Sequence, residues 1–549
     1  MRRRSQHKSP WAIWFTVGIL ALSFGLRLWF WPANHEIRSP DEVGYMSGGL
    51  TLLEGISPGY GMGPGGVYFW FGWLFTIAKA AFKILSGGAA GVGSLMHALE
   101  SVVFETYRNF VGLRTAYLLL NAVTWSLALG LFSYAAFRKL GAAKTAAVVS
   151  FIVLSPLFVR EGVHATPYPL AWSFVILSWC FLYLLTDVPH RFRWAAWFLG
   201  LAIGTRVECV ILLPQFFWFY FEQERRRGSY REPLKLIALV GATFFIISPW
   251  YSSLLFHNLR YIYTIAILNE GWEPKTAADL YEMFSDELVI PLLVATWVLL
   301  LLKLRSQPSA SRGVQILFAA YYVGALLKPS PHSFHNSAPA VLGLVGLLIP
   351  ILDDLKVGGW IVGVAVVNAA AFLWVVPSQR GGIVYHTIQD LSAQWVNQHG
   401  VPGTKVYVSN SVEVPLPTRE ASNRLWQELV GLEAVHKKLD KGIHRLSLSV
   451  EEDARLFSEA HLTQERGNRR RWYLLGGAES SLPRFDVYLY SVSTVFGLSA
   501  EQAEVAFMKT GGILIWYGTP LTALGEPAYT YIGGGALGSV EIYCRDGCR

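Results

Sequence analysis

The sequence predicts a polytopic α-helical membrane domain of about 11 transmembrane helices, followed by an extracytoplasmic α/β domain. Three observations predict this class. Hydrophobic residues make up 53% of the 549 residues and charged residues 15%, where soluble domains carry roughly 25% charge. Apolar runs of spanning length recur between short basic clusters, the pattern of cytoplasmic loops. Beyond Pro377 the long apolar runs stop, and short strand-like runs alternate with helical ones. The net charge of +8 sits in the short clusters, so it marks loop ends and not a nucleic-acid partner.

On a spanning length of roughly 20 residues, membrane helices are expected near 11–31, 112–137, 143–159, 168–186, 194–208, 209–222, 234–252, 287–304, 313–328, 334–352 and 358–376. The stretch 194–222 reads either as two short passes or as one long tilted helix. The first span is too long for a removable signal peptide and lacks a small-residue cleavage site. The basic run Arg2-Arg3-Arg4 with Lys8 before it predicts a cytoplasmic N-terminus. The apolar segment 67–85 carries Lys79 and Lys83 one turn apart and is expected to lie on the outer surface as an amphipathic helix. Counting it as a span would put Arg191/Arg193, Arg225–Arg227 and Lys303/Arg305 outside, against the positive-inside rule. The predicted domains are therefore 1–376 in the membrane, with a long first outer loop at 32–111, and 377–549 outside.

In the tail, 389–399 has helical spacing, Pro402-Gly403 makes a turn, and 405–408 reads as a strand. Further strands are expected at 471–475, 486–490, 513–516 and 540–543, with helices at 423–438 and 499–508. No Gly-rich phosphate loop joins a strand to a helix there, so the tail is not expected to carry the chemistry. Cys180 and Cys209 lie in apolar runs and read as packing residues. Cys544 and Cys548 either close a small disulfide loop or remain two thiols.

The chemistry-bearing residues gather on the predicted outer side. Asp41 and Glu42 follow directly on the first span, and charge so close to hydrocarbon is usually kept for a task. Tyr45 and Glu54 follow at helical spacing. Arg160, Glu161 and His164 stand in the second outer loop, Arg260 in the third, and Lys328, His332 and His335 in the fourth. Arg206 lies inside an apolar run beside Glu208. Carboxylates in one loop with cations from several others suit a substrate with a phosphate in the headgroup plane. The cations stabilise a departing phosphate and a carboxylate takes the proton of an incoming nucleophile. Structural readings stand beside these. Asp41 after Ser39-Pro40 also suits the first turn of a helix, Arg206 and Glu208 also suit an internal ion pair, and Arg160 and Glu161 also suit a helix end. No Asp-x-Asp occurs in the second outer loop, and no metal or cofactor is predicted.

Pro40-Asp-Glu-x-x-Tyr45 followed by Leu53-Glu-Gly55 resembles the first-loop signature of membrane glycosyltransferases with the GT-C fold, in the bacterial branch of protein O-mannosyltransferases and the ArnT-like aminoarabinose transferases. Gly112-Leu-Arg114, the segment 154–166, the segment 200–214 and the segment 332–345 are similar, in order, to later motifs of that family. The resemblance covers about residues 10–376. It implies an inner-membrane enzyme that moves a sugar, with inversion, from a polyprenyl-phosphate donor to a hydroxyl on a protein or glycan acceptor. It implies Asp41 as the catalytic carboxylate, acting as base or orienting the acceptor, with Glu42 in support. By placement, Arg206, Arg260, Lys328 and His332 are the candidates for the lipid phosphate, and Tyr45, Glu161, His164, Tyr168 and His335 for acceptor or site support. Relatives often carry Asp where this chain has Tyr168. That departure keeps a catalytically inactive scaffold as an alternative. A transporter is the other alternative, although no internal duplication of the transporter kind is seen.

Overall fold

The computed structural model describes residues 10–30, 40–53, 65–86, 111–224, 231–250, 289–306, 310–327, 337–355, 359–379, 394–409, 491–495, 500–517, 521–532 and 539–549, with single residues at 98, 99, 102, 106 and 392. The chain divides into two compact units. One comprises Met1–Trp31, Gly63–Trp70 and Tyr117–Arg380; the other comprises Pro32–Met62, Phe71–Ala116 and Gly381–Arg549.

The first elements in chain order are the helices α1 (Pro10–Phe30), α2 (Pro40–Leu53), α3 (Gly66–Leu85) and α4 (Val111–Leu140). By length and composition, Pro10–Phe30, Gly66–Leu85 and Gly112–Leu140 are long and apolar enough to cross a membrane. Next come α5 (Ala142–Val153) and α6 (Pro156–Glu161), into which the expected span 143–159 is split. The cause is Pro156, which pushes Ser155 to an extended conformation (ψ 122°) and then starts the next helix at its first position. After α7 (Tyr168–Trp179) the backbone widens into a π turn, Cys180–Leu184.

The ambiguous stretch 194–222 resolves into α8 (Arg191–Thr205), a 3-10 turn (Val207–Leu212) and α9 (Leu213–Glu224). The break falls at Arg206, whose backbone is extended (φ −143°, ψ 114°). Ser248 Oγ donates to the Gly204 carbonyl at 2.6 Å and so satisfies one of the acceptors left open at the end of α8. Among the described residues the further α-helices of the first unit are α10 (Arg231–Ile247), α11 (Val289–Ser306), α12 (Ala310–Leu327), α13 (Ala338–Asp354) and α14 (Val362–Gln379).

Helix α13 is apolar on all sides, and every residue from Ala338 to Ile349 is buried. Such a helix belongs inside a bundle, and α5, α7, α11 and α12 pack on it. Its glycines set the approach. A Cβ at Gly343 would lie 2.4 Å from the Tyr322 ring, and one at Gly346 would lie 2.9 Å from the Trp179 indole. Behind them runs a buried polar chain in which Tyr322 donates to Gln215 Oε1 at 2.5 Å and Gln215 donates to the Tyr183 hydroxyl at 2.8 Å.

Among the described residues of the second unit five strands form one mixed sheet: β1 (Lys405–Ser409), β2 (Ser491–Val495), β3 (Gly512–Tyr517), β4 (Tyr529–Ile532) and β5 (Ser539–Arg545), in the order β2-β1-β3-β5-β4. The pairs β1–β2 and β1–β3 are parallel, while β5 runs antiparallel to β3 and β4. Helix α15 (Ala500–Thr510) makes the crossover into β3 and covers the sheet with Ala503 and Phe507, against Tyr407, Leu514, Trp516 and Tyr543. The strands expected at 405–408, 513–516 and 540–543 and the helix at 499–508 are present. The segments 423–438, 471–475 and 486–490 lie outside the described residues. Cys544 and Cys548 are joined as a disulfide, while Cys180 and Cys209 are buried free thiols.

Within the sheet Tyr543 donates to Glu541 and receives the Leu521 N–H at 3.0 Å; burial, with the neighbouring Glu541 carboxylate, raises its phenol above the ordinary range. Gly512 opens β3 at φ +107°, and a Cβ there would stand 2.6 Å from the Lys405 carbonyl oxygen. Gly512→Ala is therefore expected to destabilise this unit by about 1–3 kcal/mol. Thermal unfolding followed by far-UV circular dichroism checks this, and an unshifted transition would contradict it.

Candidate active site

The first-loop signature forms the start of α2, with Pro40 as its first residue and Asp41 as its second. Proline at a helix start loses no hydrogen bond, because the first N–H groups have no intrahelical acceptor. Glu42 is wholly buried, and Arg114 of α4 grips it with both sides of its guanidinium: Nε donates to Oε2 at 3.3 Å and Nη2 to Oε1 at 3.1 Å. The two side chains are 0% and 1% exposed. This bidentate geometry is the strong form of a charge pair. Tyr45, nearly one turn further along α2, is also buried. Two segments singled out in the sequence, Pro40–Tyr45 and Gly112–Arg114, thus meet through one ion pair.

In the first unit a second polar group forms around the end of α6. Glu161 is buried, with Arg160 Nε 3.5 Å from its Oε1 and His164 Nδ1 3.3 Å from its Oε2. The segment after it is held from below by two helices. Asn121 of α4 donates through Nδ2 to the carbonyls of His164 (3.2 Å) and Thr166 (3.0 Å). Arg27 of α1 donates through Nη1 to the Gly162 carbonyl at 3.0 Å and stacks over Trp125 with 5.0 Å to the ring centre. Gly162 is required for this contact, since a Cβ there would lie 2.5 Å from the guanidinium carbon.

Sequence reasoning passed over both residues. Arg27 carried a signal, an arginine in the last turn of the first apolar span, where such a side chain must face protein or water. Asn121 carried none that separates it from an ordinary helix residue.

Arg206, in the break after α8, is also brought into a cluster. Its Nε donates to Glu208 Oε2 at 3.1 Å, its Nη2 pairs with Oε1 of the same carboxylate, and its guanidinium lies 4.2 Å from the centre of the Tyr168 ring. Arg206 and Tyr168 are both buried. The structure therefore joins Arg206, Glu208 and Tyr168 in one group and Arg160, Glu161 and His164 in another. Arg260, Lys328, His332 and His335 lie outside the described residues, and of Asp41 only the helical backbone is described. Among the described residues no group of three or more His, Cys, Asp or Glu side chains is arranged to hold a metal ion.

The fold and these clusters define a largely helical chain with spanning-length apolar helices, buried charge pairs and a mixed α/β unit. No family model matches the chain and no curated protein matches it. Among solved structures, it is similar to the crystal structure of ArnT from Cupriavidus metallidurans bound to undecaprenyl phosphate, with 13% identity and a TM-score of 0.41 over 97% of this chain and 98% of that one. At that TM-score the likeness carries no weight for a particular chemistry, which has to come from this chain's own residues.

Proposed function

We propose that this protein is an inverting glycosyltransferase that moves a sugar from a polyprenyl-phosphate donor to a hydroxyl acceptor at the extracytoplasmic face of the membrane. The observation that carries the reading is the buried Glu42–Arg114 pair, which ties the first-loop signature to the Arg114 segment. With Glu42 engaged by a guanidinium, the support it gives is positional: it fixes α2 and thereby the backbone of Asp41. Asp41 is then the base. The acceptor oxygen attacks the anomeric carbon from the face opposite the phosphate, the bond from that carbon to the phosphate oxygen breaks, and the acceptor proton passes to Asp41. Polyprenyl phosphate leaves with the electron pair, and the sugar's configuration inverts.

The leaving phosphate needs cations. Arg206, Arg260, Lys328 and His332 are assigned to it. In the structure Arg206 is engaged by Glu208, so the donor phosphate would take the place of that carboxylate on the guanidinium. Glu161, His164, Tyr45, Tyr168 and His335 are assigned to support of the acceptor side. Donor affinity tests the phosphate assignment. Arg206→Ala and His332→Ala are each expected to weaken binding of a short-chain polyprenyl-phosphate sugar by about tenfold or more, the size of a hydrogen bond to a charged group. Unchanged affinity in both would remove the assignment.

One observation favours a second reading. Tyr168, at the position where relatives often carry Asp, is buried under Arg206, so this position supplies no carboxylate. A catalytically inactive relative serving as a scaffold is the reading that departure supports.

A further inference from the structure

Within the second unit, the residues that follow β5 fold back onto 399–404, the run that leads into β1. Cys548 forms an antiparallel bridge with Gly400. The Val401 N–H donates to the Gly547 carbonyl at 2.9 Å, and the Arg549 N–H donates to the His399 carbonyl at 2.8 Å. Gly547 is buried in this contact, and a Cβ there would stand 2.5 Å from Thr404 Cγ2. His399 in turn stacks on Trp395, with 4.7 Å between ring centres. The contact is small and is made mainly by backbone.

The Cys544–Cys548 disulfide ties this contact to the sheet, and its two halves are held unequally. Cys544 belongs to β5 and stands in register with Ile513 of β3, so the ladder fixes it. Cys548 lies beyond the ladder and is held by the disulfide and the bridge to Gly400. The disulfide contributes little to the stability of the sheet. The chain entropy that a crosslink removes grows with the loop it closes, and this pair is separated by four positions. The pairing of β3 with β5 extends from Gly512↔Arg545 to Tyr517↔Val540 without it. Both cysteines are half-buried, within reach of an incoming thiol. Exposed disulfides are the labile ones, open to regulation. The other two of the four cysteines, Cys180 and Cys209, are buried free thiols.

We propose that Cys544–Cys548 is a thiol-operated clasp. Oxidised, it holds the run 399–404 against Gly547 and Cys548; reduced, it frees that run while the sheet stays folded. The reductant is a dithiol, the chemistry of a thiol–disulfide oxidoreductase. One thiolate of the dithiol attacks Cys548 Sγ, the S–S bond breaks, and Cys544 leaves as a thiolate that takes a proton. The second thiolate of the dithiol resolves the mixed disulfide and releases Cys548, which is protonated in turn. Two electrons and two protons thus pass to the pair, and the dithiol ends as a disulfide. The clasp does not depend on the glycosyltransferase reading.

Local opening without global unfolding is what separates a clasp from a structural staple, and amide hydrogen exchange reads the two apart. The test is exchange followed by mass spectrometry on the full-length protein in detergent, oxidised and after treatment with dithiothreitol. Thiol alkylation counts the cysteines reduced, and far-UV circular dichroism follows unfolding. In the reduced, folded protein, peptides containing Val401 and Arg549 are expected to exchange at least tenfold faster at those amides. Peptides across 513–516 and 540–543 should keep their rates, and reoxidation should restore the slow exchange. The double variant Cys544→Ser/Cys548→Ser should behave as the reduced parent in either buffer. Reduction of the pair only together with global unfolding, or loss of the folded state in the double variant, would make the disulfide a staple and overturn the proposal. Exchange at Val401 and Arg549 unchanged by reduction, or a double variant as protected as the oxidised parent, would overturn it equally.

Discussion

Arg114→Ala is expected to cost about 3–5 kcal/mol of stability, because it removes the guanidinium that neutralises the Glu42 carboxylate at a site with no exposure. The double variant Glu42→Gln/Arg114→Met should recover most of that loss. Replacing a buried pair by groups of similar volume removes the cost of desolvating two charges together with their attraction, and the two nearly cancel. Thermal unfolding of the purified parent, single and double variants measures this directly. A single variant as stable as the double would mean that the pair is not coupled in the way its 3.1 and 3.3 Å contacts indicate.

The largest expected effect on rate belongs to the neighbouring residue. Asp41→Asn should lower kcat by about 10²–10⁴-fold, the usual loss when a general base is removed. Donor affinity should change little, since the base acts on the acceptor proton and not on the lipid phosphate. Equilibrium donor binding measured beside single-turnover kinetics distinguishes the two quantities. A variant retaining most of the parent's turnover would remove Asp41 from the chemistry.

The helical framework was legible because apolar length and the placement of Arg138, Lys139, Arg191, Arg193, Lys303 and Arg305 are local properties of the sequence. Helix breaks were legible only where a residue type forces them. Pro156 marks one, although the stretch 143–159 was expected as a single span. The break at Arg206 is held by Glu208, two residues on, which pairs with Arg206, and by Ser248, which bonds the Gly204 carbonyl from 44 residues away, and no periodicity announces it. The strands 405–408, 513–516 and 540–543 showed themselves through β-branched and aromatic content.

The candidate site was legible as a set of polar residues in apolar surroundings, and not as pairs. Glu42 and Arg114 stand 72 residues apart and Arg27 and Gly162 stand 135 apart. Nothing in one sequence links such positions. Glu161 and His164, three residues apart at the end of a short helix, were adjacent on the page and are adjacent in the structure.

Sugar release decides the functional reading. Purified full-length protein would be given a panel of short-chain polyprenyl-phosphate sugars, and released sugar and free polyprenyl phosphate would be quantified for the parent and for Asp41→Asn. Turnover of at least one donor by the parent, collapsing in a variant that still folds and still binds that donor, is the predicted result. Donor binding by the parent without turnover of any donor would contradict glycosyl transfer and favour the scaffold; absence of both binding and turnover would reopen transport.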